Sequence, residues 1–356
     1  GTFLAPRQFY TKSILSDNSF VGSHWVNSYE VINQANLVLD NASKIDDATE
    51  RATVEGEALF LRAMTYFDMV RFYGGVPLRT AGVTNYGADL DIERASADAI
   101  YAQVASDLND AYIKLPASNG EFADKYAAKA LLARVHLQLG NYAEALTAAN
   151  DVLANSGHSL ASSFAGAFNN DSDSSEDIFA FQVTSQDGSN ALITHYADMA
   201  FGGRGGDIVV DTYRSLFDST LDVRRGFFYL SRDTGAICTL KYTNEYGNVP
   251  TLRIGEMHLI RAEANFRLGS STGLAPLTEI NALRARSGAP AHTALTLDLI
   301  FNERQLELGF EGHILHDKKR FGKSILGLSS NSPKLVLPIP QSEMDSNSLM
   351  VQNSGY

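Results

Sequence analysis

The chain has 356 residues, of which 44% are hydrophobic and 20% are charged, and this composition is typical of a folded protein rather than a disordered one. Its 41 acidic and 29 basic residues give a net charge of −12, which excludes nucleic acid and anionic lipid as default partners because like charges repel. The single cysteine, Cys238, excludes an internal disulfide framework and a cysteine-based metal cluster.

Helical periodicity dominates the first 155 residues. Apolar residues recur every three or four positions from Trp25 to Leu39 and from Arg51 to Phe72, which predicts two long helices. Three more helices are predicted from Ser96 to Leu115, from Tyr126 to Leu139 and from Tyr142 to Leu153. The last two are separated by a Gly-Asn turn, and their small, glycine and aromatic positions match one tetratricopeptide repeat.

Residues 156–250 have a different pattern, which predicts a loop-rich insertion with a few short strands. Ser, Asn and Asp residues cluster at 169–176, and an extended apolar run follows at 178–183. Cys238 lies in a second apolar run and is predicted to be a buried, inert thiol. From Thr251 the helical pattern resumes, with helices predicted at about 252–268, 275–286 and 296–310. A strand-like segment at 334–339 and a coil tail complete the chain.

No set of residues in the sequence has the spacing of a catalytic or metal site. Glu303, Glu307 and Glu311 are four residues apart and therefore share one helix face, whereas the acid and base of a glycosidase flank a cleft from different elements. We therefore predict a charge network along the helix. His313 and His316 lack the His-Glu-x-x-His spacing and a third ligand, so no metal site and no cofactor is predicted.

Several motifs follow one another from about residue 17 to the last tyrosine. They are Trp25-x3-Tyr29-x2-Ile32-x2-Ala35-Asn36, Gly56-Glu57-Ala58-x3-Arg62-Ala63, Tyr73-Gly74-Gly75-Val76-Pro77-Leu78, Ile280-Asn281-x2-Arg284-x-Arg286-Ser287-Gly288, Glu303-Arg304-x2-Glu307-x3-Glu311-Gly312, Leu337-Pro338-Ile339-Pro340 and Gln352-Asn353-x-Gly355-Tyr356. In this order they resemble the SusD/RagB family. One departure is Ile314, where the family usually carries an arginine.

The resemblance implies a fold dominated by α-helices. One domain spanning 1–356 is expected to form a tetratricopeptide-like α-superhelix of about four helix pairs, whose first helices lie at about 52–72, 124–139, 252–268 and 296–310. Its parts are expected to be an N-terminal helical region at 24–155, the loop-rich insertion at 156–250, and a C-terminal helical region with a tail at 251–356.

The resemblance also implies a function. The expected protein is a non-catalytic, surface-exposed lipoprotein of the outer membrane, which binds a glycan or oligosaccharide and delivers it to a SusC-like TonB-dependent transporter. Its membrane contact is expected to be only through a lipid anchor that the given sequence does not include. Two other functions remain open: a peptide-binding lid or tetratricopeptide-type interaction scaffold, and a glycoside hydrolase.

The ligand residues that the resemblance implies lie just before the Trp25 helix and in the large insertion. They are Asp17, Asn18, Phe20, Trp25, Tyr196, Phe201 and Arg204. The aromatic rings would stack on sugar faces, while the side chains of Asp17, Asn18 and Arg204 would bind hydroxyl groups. For Trp25 a second interpretation, a core residue of its helix, stays open.

Overall fold

The computed structural model describes residues 4–85, 87, 90–186, 188–205 and 211–356. Helices dominate, as predicted: α1 (Leu4–Thr11), α2 (Ser19–Asn41), α3 (Ala48–Tyr73), α4 (Ala97–Lys114), α5 (Lys125–Leu139), α6 (Tyr142–Asn155), α7 (Ala191–Tyr196), α8 (Asp211–Arg214), α9 (Ile254–Leu268), α10 (Pro276–Arg286), α11 (Leu297–Glu307), α12 (Ile314–Arg320) and α13 (Gln341–Ser346). Short strands are β1 (Asp177–Phe181), β2 (Phe228–Leu230), β3 (Ile237–Thr239) and β4 (Val249–Arg253). The predicted helical class with a few short strands is confirmed.

The chain divides into two compact units. The first comprises residues up to 119, residues 123–128 and residues from 318 onward, and the second comprises residues 120–122 and 129–317. The division into a single domain with three parts stays a prediction.

In the first unit, α3 packs against both α2 and α4. Its apolar face is fully buried through residues such as Phe60, Ala63 and Phe67, which recur at helical spacing. The helix begins three residues earlier than its apolar pattern does, because the Asp47 carboxylate accepts hydrogen bonds from the backbone N–H groups of Thr49 and Glu50 and so caps a polar first turn.

A buried ion pair joins α3 to α4. The Arg62 guanidinium donates from Nε and Nη2 to the two oxygens of Asp107, at 2.8 and 2.7 Å, and from Nη1 to Asn36 Oδ1 of α2 at 2.7 Å. Arg62 and Asp107 are only 5% and 2% exposed, so this bidentate pair lies inside the packing of three helices.

Gly75 follows α3 at a point where a second backbone segment passes very close. A Cβ atom at this position would overlap the carbonyl oxygen of Ala95, whose N–H donates to Val76 O at 2.9 Å. We expect Gly75→Ala to lower the free energy of unfolding by about 2 kcal/mol, because backbone cannot move aside as a flexible side chain does. Gly22 of α2 is the matched control, since nothing lies within 4 Å of a Cβ there. Gly22→Ala should leave stability equal or raise it by up to about 1 kcal/mol, and urea unfolding of both variants checks the contrast.

The predicted strand at 334–339 is wrong. Residues Pro333–Leu335 form a short 3-10 helix, and in the part of the chain that the structure describes the extended residues after it pair with no strand. Side-chain amides satisfy this backbone instead: Gln352 Oε1 accepts from Ile339 N at 2.8 Å, Gln352 Nε2 donates to Ile339 O, and Asn353 Nδ2 donates to Leu337 O. The apolar run is therefore extended at residues 337–339, and most of the hydrogen-bond partners of its backbone are Gln and Asn side chains.

In the second unit, α9 is the central helix and packs against α6, α10 and α11. Leu259, Ile280, Leu283 and Ile300 form the centre of an apolar cluster among these helices. β1 pairs antiparallel with β4, and β2 pairs antiparallel with β3, so each sheet has two strands. Cys238 of β3 is 1% exposed, and the prediction of a buried thiol is confirmed.

Candidate functional site

The seven predicted ligand residues occur in both units. Asp17, Asn18, Phe20 and Trp25 belong to the first unit, whereas Tyr196, Phe201 and Arg204 belong to the second.

Asn18 is the N-cap residue of α2, and its amide is fully used within the protein. Its Oδ1 accepts from Phe20 N at 3.0 Å and its Nδ2 donates to Gln8 Oε1 at 2.7 Å. Asp17 and Phe20, on either side of this cap, are exposed to solvent. The Phe20 ring is 46% exposed and lies 6.4 Å from the Phe9 ring, so this segment presents an aromatic pair and a carboxylate to solvent.

Trp25 is 3% exposed and packs in the core of the first unit. Its ring centroid lies 5.0 Å from that of Tyr73, edge to face, and 5.2 Å from that of Tyr29. The indole Nε1 donates to Glu343 Oε2 at 3.2 Å. The second interpretation of Trp25, as a core residue of its helix, is therefore the one that its packing supports.

Trp25 also contributes to the floor of a cavity of about 770 Å³, which we call the α2 groove. It is lined by α2, by described residues within 77–83 and 90–92, and by residues in and just after α13. The residues that line it are Trp25, Val26, Tyr29, Glu30, Ile32, Asn33, Gln34, Asn36, Pro77, Arg79, Val83, Leu90, Asp91, Ile92, Glu343, Ser346 and Asn347. No local sequence pattern predicts this groove, because the lining residues of α2 and those of α13 are more than 300 residues apart in the chain.

In the second unit, Phe201 and Arg204 lie on one exposed loop. We call Met199, Phe201, Arg204 and the neighbouring Tyr246 the loop surface; Met199 is 68%, Phe201 37% and Tyr246 40% exposed. The carboxyl carbon of Glu245, the residue before Tyr246, lies 3.9 Å from where a Cβ atom on Gly202 would be. An apolar ring, a guanidinium and a second ring on one surface can stack on a sugar and donate to its hydroxyls.

The backbone of this loop is held in one conformation. Gly203 N donates to Asp198 O at 2.8 Å, and Gly205 N donates to Ala197 O at 3.0 Å. A Cβ atom on Gly203 would overlap the Ala197 carbonyl, so only glycine fits there. The Phe201 ring rests edge to face on Tyr229 at 5.4 Å, and the Tyr229 hydroxyl accepts from Asp198 N at 2.9 Å. The loop surface is therefore pre-organised, which lowers the entropic cost of binding.

Tyr196 lies behind the loop surface rather than on it. Its ring is half-buried, 5.0 Å from Tyr242 and 5.9 Å from Phe310, and burial raises the pKa of its phenol. It packs on an apolar cluster that includes Ile193 and so supports α7, the helix that precedes the loop.

The three glutamates that could suggest catalysis are buried and paired with cations. Glu303 accepts from Arg224 Nη1 at 2.6 Å, Glu307 from Arg286 Nη2 at 2.6 Å, and Glu311 from Lys241 Nζ at 2.5 Å. The predicted charge network is confirmed, although Glu311 lies beyond the end of α11. Most of its cations come from the insertion and from β4, which the helical spacing alone does not reveal.

His313 is buried against Glu256, with 3.7 Å between His313 Nδ1 and Glu256 Oε1. Asp317 accepts from Arg304 Nε at 3.1 Å. Within residues 4–85, 87, 90–186, 188–205 and 211–356 we find no group of three or more His, Cys, Asp or Glu side chains that could hold a metal ion.

Two family models match the chain. A SusD-like model described as "starch-binding associating with outer membrane" matches residues 4–137, and the SusD family model matches residues 236–334. No helix in the described part of the chain has the length and apolar character needed to cross a membrane.

Relatives match over nearly the whole chain. SusD-like protein P2 of Formosa agariphila is 26% identical, over 96% of this chain and 81% of its own length. Starch-binding protein SusD of Bacteroides thetaiotaomicron is 24% identical, over 91% of this chain and 76% of its own length. The crystal structure of a putative sugar binding protein from Bacteroides vulgatus is 26% identical, with a TM-score of 0.85 over 98% of this chain and 88% of that one.

Proposed function

We propose, from the premise that this chain belongs to the SusD/RagB-like family, that it is a non-catalytic glycan-binding protein of the outer membrane. In this proposal it delivers oligosaccharide to a SusC-like TonB-dependent transporter and is held at the cell surface by a lipid anchor. The family description as starch-binding and outer-membrane associated supports the ligand class and the location.

The observation that carries the proposal is the loop surface. Phe201 and Arg204 are exposed on a backbone that the hydrogen bond between Gly203 and Asp198 fixes. A ring that can stack on a sugar and a guanidinium that can donate to its hydroxyls are therefore available without an entropic cost for ordering the backbone. The absence of catalysis is supported by the burial of Glu303 and Glu307, whose carboxylates already bind guanidinium groups and cannot reach a bound sugar.

We expect Phe201→Ala to weaken glycan binding about tenfold, because one aromatic–sugar stacking contact contributes about 1–1.5 kcal/mol. The measurement is calorimetry against a panel of neutral polysaccharides that includes starch. Phe122→Ala is the matched control, since Phe122 belongs to the same unit and is 68% exposed, yet lies outside the loop surface. Equal loss in both variants, or binding to no glycan of the panel, would contradict the proposal.

The other two functions give different results in the same preparation. A peptide-binding lid would retain peptides and ignore the glycan panel. A glycoside hydrolase would release reducing ends from a polysaccharide on long incubation, whereas we expect none. The transporter partner is tested by co-purification of a SusC-like protein with the tagged chain from outer membranes.

A further inference from the structure

The α2 groove is separate in sequence and in lining residues from the loop surface. Its volume of about 770 Å³ lies within the range of small-ligand sites. Its apolar lining that a ligand can reach consists of the half-buried ring of Tyr29, the exposed side chain of Val26 and the half-buried side chain of Leu90. Such a floor suits the C–H face of a sugar ring.

Three polar side chains in the groove are free to bind a ligand. Glu30 and Gln34 on α2 and Ser346 at the end of α13 are all exposed, and none forms a hydrogen bond or ion pair with another residue that the structure describes. A carboxylate, an amide and a hydroxyl are therefore available on two walls of the same cavity.

The groove also carries negative charge without a paired cation. Glu343 is half-buried, and its two oxygens accept from neutral donors only: Trp25 Nε1 at 3.2 Å and Asn347 Nδ2 at 3.1 Å. Neither Glu343 nor Glu30 forms an ion pair within the described ranges. Arg79 is the one cation that we find among the described residues of the lining, and it donates to the Leu90 carbonyl. A positively charged ligand would gain from the half-buried carboxylate of Glu343 and from the exposed carboxylate of Glu30.

The backbone around the groove favours a sugar over a peptide. Peptides that bind in grooves as extended chains rely on main-chain hydrogen bonds. The carbonyl oxygens of Pro77, Val83 and Ile92 already accept, from Tyr29 Oη at 2.8 Å, Asn33 Nδ2 at 3.3 Å and Asn347 Nδ2 at 3.0 Å respectively. The groups that we identify as free on the lining, those of Glu30, Gln34 and Ser346, belong to side chains, and they match the hydroxyls and amines of a saccharide.

We propose that the α2 groove binds an amino sugar, with the protonated amine placed between Glu30 and Glu343 and the ring over the apolar floor. This inference rests on the proposed glycan-binding function and adds a sugar class and a second binding site to it.

The test compares chitotriose, whose three sugars carry protonated amines, with its fully N-acetylated form, which has the same backbone and no charge. We expect calorimetry at slightly acidic pH, where the amines are protonated, and at low salt to show at least tenfold tighter binding of chitotriose. The double variant Glu30→Gln and Glu343→Gln should lose this preference. Asp110→Asn, which removes one exposed carboxylate of α4 outside the groove, should keep it. Glutamine at 343 retains the acceptor for Trp25, and thermal unfolding confirms that the variants are folded.

Equal binding of the two trisaccharides, or a preference that survives the double substitution, would overturn the inference. Tighter binding of trilysine than of chitotriose would also overturn it, because the occupant would then be a basic peptide. The two proposals fail separately. Loss of chitotriose binding with intact, Phe201-dependent starch binding refutes the groove alone, whereas binding to no neutral glycan refutes the function proposed for the loop surface.

Discussion

Replacing Glu307 with alanine is expected to lower the free energy of unfolding of the second unit by about 3–5 kcal/mol. The Glu307 side chain is completely buried and accepts from Arg286 Nη2 at 2.6 Å, Arg253 Nη1 at 3.2 Å and Arg224 Nη1 at 3.5 Å. Although burial alone would raise its pKa, these guanidinium groups outweigh burial and hold the pKa of Glu307 far below its usual range. With alanine at this position, the buried guanidinium groups of Arg224, Arg253 and Arg286 would lose a carboxylate that compensates their charge.

Urea unfolding followed by circular dichroism measures this loss. Glu144→Ala is the matched control, because Glu144 is an exposed carboxylate of α6 in the same unit, and its loss should cost less than about 1 kcal/mol. Similar costs for the two variants would show that the network contributes no more than a surface charge does.

The second large effect is a loss of stability in acid. Burial lowers the pKa of His313 from 6.5 to about 4, with the nearby Glu256 opposing part of the shift. Burial would raise the pKa of Glu256, but the charge of Arg134, which donates to it at 2.6 Å, lowers that pKa from 4.5 to about 2. Both groups bind protons less readily in the folded state than in the unfolded state. The free energy of unfolding that each group contributes is therefore fully present above the pKa of that group in the unfolded state. It is lost as the pH falls through the pKa of the group in the folded state.

The pH windows of the two groups differ. Protonation of His313 should lower the free energy of unfolding by about 3 kcal/mol between pH 6.5 and pH 4. Protonation of Glu256 should lower it by about the same amount between pH 4.5 and pH 2. His313→Gln, which does not titrate, should lower the slope in the upper window by up to one proton. It should also narrow the lower window, because protonated His313 is one of the charges that lower the pKa of Glu256. Unfolding free energies measured at half-unit intervals from pH 7 to pH 3 check this, and an unchanged slope above pH 4.5 would refute the assignment to His313.

Much of the helical framework is predictable from local patterns. The predicted helix from Tyr126 to Leu139 differs from α5 by one residue at its start, and Gly140 after it has a positive φ of 75°, as a helix-ending glycine requires. Boundaries fail where a polar turn begins the helix, as in α3, whose first residues carry no apolar signal. The segment 334–339 fails for another reason, since its partners are side chains from the tail.

The candidate sites are less predictable because contacts that are distant in sequence build them. The family resemblance points to Phe201 and Arg204, but the conformation that exposes them depends on contacts with Tyr229 and Asp198. The α2 groove is lined in part by residues of α13, and no local sequence pattern indicates that Glu30 and Glu343 line the same cavity. Spacing of four along α11 predicts a charged face, yet it does not reveal that Arg224 and Arg253 would bury that face completely.

The pairing of residues 337–339 with the Gln352 and Asn353 side chains has one further consequence. An extended, apolar segment normally leaves a row of backbone groups on which another chain can add as a β-strand. Here the Ile339 N–H and carbonyl and the Leu337 carbonyl are occupied by amide side chains, and the Leu337 N–H donates to Phe72 O at 2.7 Å. The Gln352 and Asn353 side chains of the tail therefore protect this segment from edge-to-edge aggregation, although the segment is not part of a β-sheet.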